Sequence, residues 1–338
     1  MKEALYYNKV EKNTVQCRLC PHFCTIKEDK TGICKVRKNV QGKLYSLVYG
    51  KAVAAHIDPI EKKPLYHFFP GTSALSIGTV GCNLCCKHCQ NWETSQAKPD
   101  DFFARNLQPE KIVEMAKESE CTSIAYTYNE PTIFYEYMLD TAKLARKEGI
   151  KNVVVTNGFI NSEPLQELCK YVDAVNCDLK SFEDSFYKKI CGGKLEPVLE
   201  TLKILHEHKI WIEIAVLIIP TLNDKPKMIT KMCSWIKQNL GTTYPVHFSG
   251  FHPCYKLLDL EPTSTKILLQ AREIALKVGL EYVYVGNVYS SEGNNTDCPK
   301  CHKILVERYG FSVLNNEIKD GKCGCGYEIN GRFDHRKK

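Results

Sequence analysis

The chain contains no stretch approaching the roughly 18 uncharged apolar residues that a membrane helix needs. The residues after Met1 are charged and lack the apolar core, roughly 7 to 15 residues long, of a secretory leader. These absences lead to the expectation of a cytoplasmic protein that neither spans a membrane nor is exported. No run of basic residues interleaved with aromatics is found either, which argues against a nucleic-acid partner despite a formal net charge of +7. A reducing cytosol leaves little place for disulfides, so the 18 cysteines read as metal ligands and core residues. Cys121, Cys169, Cys177, Cys191, Cys233 and Cys254 stand singly in apolar or helical settings and read as small core side chains. The others are gathered in three clusters. Loaded with metal, those clusters would bring the net charge close to neutral, since four thiolates on zinc carry about −2 and three on an oxidised [4Fe-4S] core about −1.

With 338 residues, 43% of them hydrophobic, the chain can form one large domain with appendages. The expected organisation is a Cys-rich segment over residues 1–73, a core over 74–288 and a second Cys-rich segment over 289–338. In the core, strand patterns at Leu75–Val80, Ser123–Tyr128, Asn152–Asn157, Ala174–Leu179, Trp211–Ile219, Val246–Gly250 and Tyr282–Val285 alternate with helical patterns near 108–119, 132–148, 162–171, 195–208, 226–239 and 264–278. Such βα repetition predicts an α/β fold with a parallel sheet. Six βα units are too few for a closed eight-fold barrel, so the expectation is an open, partial (βα)6 barrel of TIM type, with its active site at the C-terminal ends of the strands.

The most informative residues follow the first of those strands. In Gly81-Cys-Asn-Leu-Cys-Cys-Lys-His-Cys-Gln-Asn-Trp92, the cysteines Cys82, Cys86 and Cys89 are spaced C-x3-C-x2-C. A cubane cluster is ordinarily held by four thiolates, so three leave one iron open to a substrate or cofactor. The alternative is a structural zinc knuckle with Cys85 as fourth ligand, although adjacent cysteines such as Cys85 and Cys86 do not easily reach one tetrahedral ion.

This run resembles the radical S-adenosylmethionine (SAM) enzymes, with His88 in the motif's aromatic position, and within them the branch related to pyruvate formate-lyase activating enzyme. It is most similar to the AmmeMemoRadiSam system enzymes. The resemblance implies a [4Fe-4S] cluster on Cys82, Cys86 and Cys89, and reductive cleavage of SAM to methionine and a 5'-deoxyadenosyl radical that abstracts hydrogen from a substrate. It also implies an electron donor of flavodoxin or ferredoxin type, and either a partner enzyme's glycine as target or an association with Memo-like or AMMECR-type proteins. Asn129 and Glu130, in Tyr126-Thr-Tyr-Asn-Glu-Pro131, are similar to the family's SAM-binding element; a simpler reading has Glu130 open a helix, where acids are favoured. Asn157, in Thr156-Asn-Gly-Phe159, and Asp178 and Lys180, in Asp178-Leu-Lys180, resemble further cofactor-binding elements. Strand alternation puts Asp178 and Lys180 on one side, so one can take an ammonium or hydroxyl and the other a carboxylate; a surface ion pair is the alternative. His252 resembles a histidine near the SAM ribose or adenine.

Cys17, Cys20, Cys24 and Cys34, spaced C-x2-C-x3-C-x9-C, are enough for a zinc site, the preferred expectation, or a second cluster. Cys298, Cys301, Cys323 and Cys325 suit a zinc ribbon that ties down the tail or presents a docking surface. Two competing functions are an RNA-modifying radical SAM enzyme and a non-enzymatic module whose clusters are all structural zinc.

Overall fold

The structure, a computed structural model, describes residues 1–288, 290 and 292–333. Its centre is an eight-stranded sheet whose spatial order follows the chain: β1 (Ala54–Pro59), β2 (Ser73–Gly78), β3 (Ser123–Tyr126), β4 (Lys151–Thr156), β5 (Ala174–Asp178), β6 (Trp211–Ile218), β7 (Val246–Gly250) and β8 (Val283–Gly286). From β2 to β8 every pairing is parallel. The crossovers carry α1 (Pro109–Glu118), α2 (Tyr135–Lys147), α3 (Ser162–Leu168), α4 (Glu196–Glu207), α5 (Pro226–Asn239) and α6 (Thr265–Val278). A parallel sheet in sequential order, helix-covered and open between its first and last strands, is the partial (βα)6 barrel expected. β3 is buried at every position and β4, β5 and β6 at nearly all, as parallel strands with both faces covered must be.

One strand escaped the sequence reading. β1 pairs antiparallel with β2 along its whole length, yet its Ala-Ala-His-Ile-Asp-Pro sequence carries a single β-branched residue and is half exposed. It lies within the segment assigned to the N-terminal appendage. That segment also forms two small antiparallel sheets, and its Val15, Leu19, Ile26, Val36 and Leu44 join one core cluster with the barrel.

The lower end of the barrel is filled by residues 60–71 and by the C-terminal ribbon. Glu213, at the start of β6, is fully buried and accepts from the backbone N–H of Tyr66 (2.9 Å) and His67 (2.7 Å), from Trp211 Nε1 (3.1 Å) and from His247 Nε2 (2.7 Å). Arg308 stacks on Tyr66 (4.1 Å) and donates to the Tyr66 carbonyl (2.8 Å). The upper end, where the strands finish, is where the chemistry-bearing residues gather. No described helix is long and apolar enough to cross a membrane.

Candidate active site

The triad loop leaves β2 through Gly81, whose φ of +93° is open to glycine. A Cβ there would stand 2.7 Å from the Cys34 carbonyl and 2.7 Å from Val36 Cγ1, so the N-terminal segment seats directly on the loop. The loop is pinned along its length. Gly81 N donates to Thr94 O (2.9 Å), Cys85 N to Cys191 O (2.8 Å) and Lys87 N to Ile190 O (2.9 Å). His22 Nε2 donates to the Asn83 carbonyl (2.6 Å), and Asn83 Nδ2 to Phe159 O (2.7 Å).

Hydrogen-bond donors surround the triad sulfurs. Cys82 Sγ accepts from Leu84 N (3.3 Å) and lies 3.8 Å from Asn157 Nδ2, while Cys89 Sγ is 3.3 Å from Ser95 Oγ. Such donors support thiolate ligands and tune a cluster's potential. Burial, then the Glu130 carboxylate, pushes the Cys82 thiol up, and burial does the same to Cys89. Cys86 goes the other way: a hydrogen bond with Cys191 holds it low against the effect of burial, and the Lys180 ammonium helps. Among the described residues, Cys82, Cys86 and Cys89 do not form a group with sulfurs within 4.8 Å of one another. A tetrahedral zinc with bonds of about 2.3 Å needs sulfurs about 3.8 Å apart, so the triad fits a multi-iron core better than a single ion.

The cofactor-binding candidates separate into those committed to the fold and those left with free valence. Glu130 is fully buried. Its Oε1 accepts from Thr132 N (2.9 Å) and Thr156 Oγ1 (2.7 Å), and its Oε2 from Asn157 N (2.8 Å). It therefore caps the turn Pro131–Phe134, as the helix-opening alternative has it, and braces the loops after β3 and β4. Asn157 is likewise engaged, through Asn83 Oδ1 (2.9 Å) and Phe159 N (2.9 Å). Asn129 differs. Its Nδ2 donates to the Gly81 carbonyl, while its Oδ1 is buried without a partner. A buried unpaired acceptor beside the triad loop fits a donor such as the SAM ammonium. His88 also has a buried unpaired atom, Nδ1, and its ring is pushed down to about 3 by burial and then by Lys180.

Asp178 and Lys180 meet as alternation requires, at 2.9 Å, but in a partly buried setting rather than on the open surface. Burial opposes the charge on Lys180, and Asp178, Cys86 and Cys191 outweigh it and hold the ammonium protonated. His252 is exposed at the upper rim, with Nε2 3.2 Å from the Asn287 carbonyl.

Two residues read as core cysteines belong to the site. Cys191, with Cys86 and His88, presents ligand atoms within 4.8 Å of one another. It ends a π-helical turn, Tyr187–Cys191, a distortion common at functional positions. Cys254 donates its S–H to the His88 carbonyl (3.3 Å). Nothing in their spacing marks either; the close approach appears only in the structure, where Cys85 Sγ would lie 2.4 Å from a Cβ on Gly192.

At the C-terminal ribbon, Cys298 and Cys325 sulfurs are 3.7 Å apart, Cys301 and Cys323 3.6 Å, and all four lie within 4.8 Å of one another. That is the spacing of a closed tetrahedral site. Cys17, Cys20, Cys24 and Cys34 form no such group.

A thiol triad at the top of the first parallel strand of an open barrel, backed by a lysine and an unpaired buried acceptor, marks an iron–sulfur enzyme that activates a small polar cofactor. The chain carries a domain of the radical SAM superfamily. The description of that superfamily matches residues 76–233. An uncharacterized protein of Methanocaldococcus jannaschii is 47% identical over 332 residues, covering 97% of this chain and 99% of the relative. The pyruvate formate-lyase-activating enzyme of Clostridium pasteurianum is 27% identical over 195 residues, 54% of this chain and 81% of that enzyme. In fold, a radical SAM methyltransferase from Sphaerobacter thermophilus aligns with a TM-score of 0.51 at 14% identity, over 65% of this chain and 67% of the other.

Proposed function

We propose that this enzyme is an activase of the AmmeMemoRadiSam branch that abstracts hydrogen from a glycine of a partner protein, supplied with electrons in the cytoplasm by a flavodoxin or ferredoxin. The observation that carries the SAM-binding part is the unpaired Asn129 Oδ1 beside the triad loop. When bound, the [4Fe-4S] cluster and SAM supply one electron and a 5'-deoxyadenosyl radical, with methionine as co-product. The rest is the work of the chain. Cys82, Cys86 and Cys89 hold the cluster by three thiolates. Asn129 accepts from the SAM ammonium, and Lys180, steadied by Asp178 at 2.9 Å, takes the carboxylate. His88 and His252 would be the residues to contact the adenosine, and buried Glu130 and Asn157 fix the loops after β3 and β4 and would help exclude water. Zinc in the C-terminal ribbon has a structural part, since a closed site keeps no open position.

The test is anaerobic reconstitution, EPR of the reduced protein with and without SAM, and assay of 5'-deoxyadenosine. We expect a SAM-dependent change in the cluster signal together with 5'-deoxyadenosine. Cys86→Ala should abolish both and Cys85→Ala preserve both; equal damage would refute the ligand assignment. For the target, a proteome labelled with dideuterated glycine should pass deuterium into 5'-deoxyadenosine. Production of unlabelled 5'-deoxyadenosine only would overturn the glycine reading.

A further inference from the structure

The four N-terminal cysteines are arranged unlike the four at the C-terminus, although each set could close a zinc site by count. The ribbon sulfurs are packed at 3.6 and 3.7 Å across the set, with all four within 4.8 Å. Cys17, Cys20, Cys24 and Cys34 instead ring a small cavity of about 20 Å³ without forming a group at that spacing. In a tetrahedral zinc site the sulfurs stand about 3.8 Å apart and the ion fills the space between them. A cubane is different, because each thiolate caps a separate iron and an inorganic core lies between.

The surroundings of the cavity suit an anionic core. His22 and Ile33 line the cavity beside the four cysteines. Arg37 also lines the cavity. It is 1% exposed, its two terminal nitrogens are taken by Glu136 (3.0 and 2.9 Å) and the Leu5 carbonyl (2.8 Å), and its Nε is buried with no partner. A buried unpaired donor on a cation beside four thiols calls for an anionic acceptor. A [4Fe-4S] core with four thiolates carries about −2 in its oxidised form and offers sulfide and thiolate acceptors.

We propose that Cys17, Cys20, Cys24 and Cys34 hold a second [4Fe-4S] cluster, which passes electrons to the cluster on Cys82, Cys86 and Cys89. The relay rests on the radical SAM reading above; the occupancy does not. The two sites share a wall. Asn83, in the triad loop, lines the N-terminal cavity and accepts at its carbonyl from His22, while the Cys34 carbonyl abuts Gly81, the residue before Cys82. On the outer side Cys20 and Cys24 are partly exposed, so an electron can enter there. A reduced flavodoxin or ferredoxin would lose one electron, the second cluster would go from 2+ to 1+, and its reoxidation would reduce the triad's cluster by the same one electron.

The test is the full chain with Cys82, Cys86 and Cys89 all replaced by alanine, reconstituted anaerobically and assayed for iron, sulfide and zinc. We expect about four irons and four sulfides per chain, an EPR signal on dithionite reduction, and one zinc in the ribbon. A second zinc, or a chain without iron, overturns the proposal. Should the triple variant not fold, Cys20→Ala in the otherwise intact chain should lower iron from about eight to about four per chain with zinc unchanged; loss of zinc instead overturns it. The relay predicts that Cys20→Ala loses 5'-deoxyadenosine formation driven by flavodoxin and keeps that driven by dithionite, and equal loss with both reductants would overturn it. Four irons in the triple variant with no 5'-deoxyadenosine from the wild type would leave the second cluster standing and defeat the radical SAM reading.

Discussion

Cys191 shows how much a single thiol can matter beside a cluster. It is fully buried, and its hydrogen bond with Cys86 lowers the Cys86 thiol while its own is pushed up by that bond and by burial. With Cys86 assigned as a cluster ligand, Cys191, whose sulfur lies within 4.8 Å of it, is placed to be the S–H donor of the pair. A donor to a ligand sulfur favours the reduced, more negative cluster and raises its potential. Cys191→Ala should therefore make the triad's cluster harder to reduce, with a lower midpoint in an EPR redox titration and iron content preserved; an unchanged or higher midpoint would refute the role. At this scale the sequence was a partial guide. Cys82, Cys86 and Cys89 are legible because their spacing is dictated by one short loop. Cys191 and Asn83 are not, because their importance comes from elements that meet only when the barrel closes. Glu130 was legible as a residue and ambiguous in its role, since a carboxylate before Pro131 serves equally as cofactor ligand or as cap.

Among the elements, the loop after β3 and the loop after β4 are joined through that one carboxylate. Replacing Glu130 by alanine strands the backbone N–H groups of Thr132 and Asn157 and the Thr156 hydroxyl, all buried donors. At roughly 1–3 kcal/mol per stranded group, the loss should be at least about 3 kcal/mol, read as a lower urea midpoint with an unchanged slope. An unaltered midpoint would mean that the brace is not needed. The core strands and helices could be found from sequence because their apolar runs are long and separated by helical periods, as in the match of Pro226–Asn239 to the expected 226–239. β1 could not, since an edge strand with one exposed face needs no continuous apolar run. The N-terminal sheets are built from strands of two to four residues, too short for any period to declare itself.

At the scale of the whole molecule, the lower end of the barrel stores a pH dependence. His67 is fully buried between the Asn330 carbonyl (2.7 Å) and the Tyr284 hydroxyl (2.6 Å), and burial, partly offset by Glu213, pushes it down to about 4. The unfolded chain takes up that proton near 6.5 and the folded chain only near 4, so the stabilisation is full above pH 6.5 and falls as pH drops toward 4. Glu213 adds to the loss lower down. Burial raises it, but the His247 hydrogen bond and the two histidines outweigh burial and hold it low, and that stability is present above about 4.3 and lost as pH falls through the folded value. Urea unfolding at pH 7 and pH 4.5 should show the wild type losing about 2 kcal/mol more than His67→Gln over that interval. Equal losses would mean that His67 does not carry the effect.

The same plug has a kinetic meaning. With residues 60–71 and the ribbon packed into the lower mouth, the barrel is a cul-de-sac rather than a tunnel. Whatever enters from above has only the upper rim and the gap between β1 and β8 to leave by, so on the activase reading proposed above a large substrate lying over both would act as a stopper. On that reading methionine and 5'-deoxyadenosine would have to wait for it to lift, and turnover would become an ordered queue in which the last molecule to arrive is the first to depart.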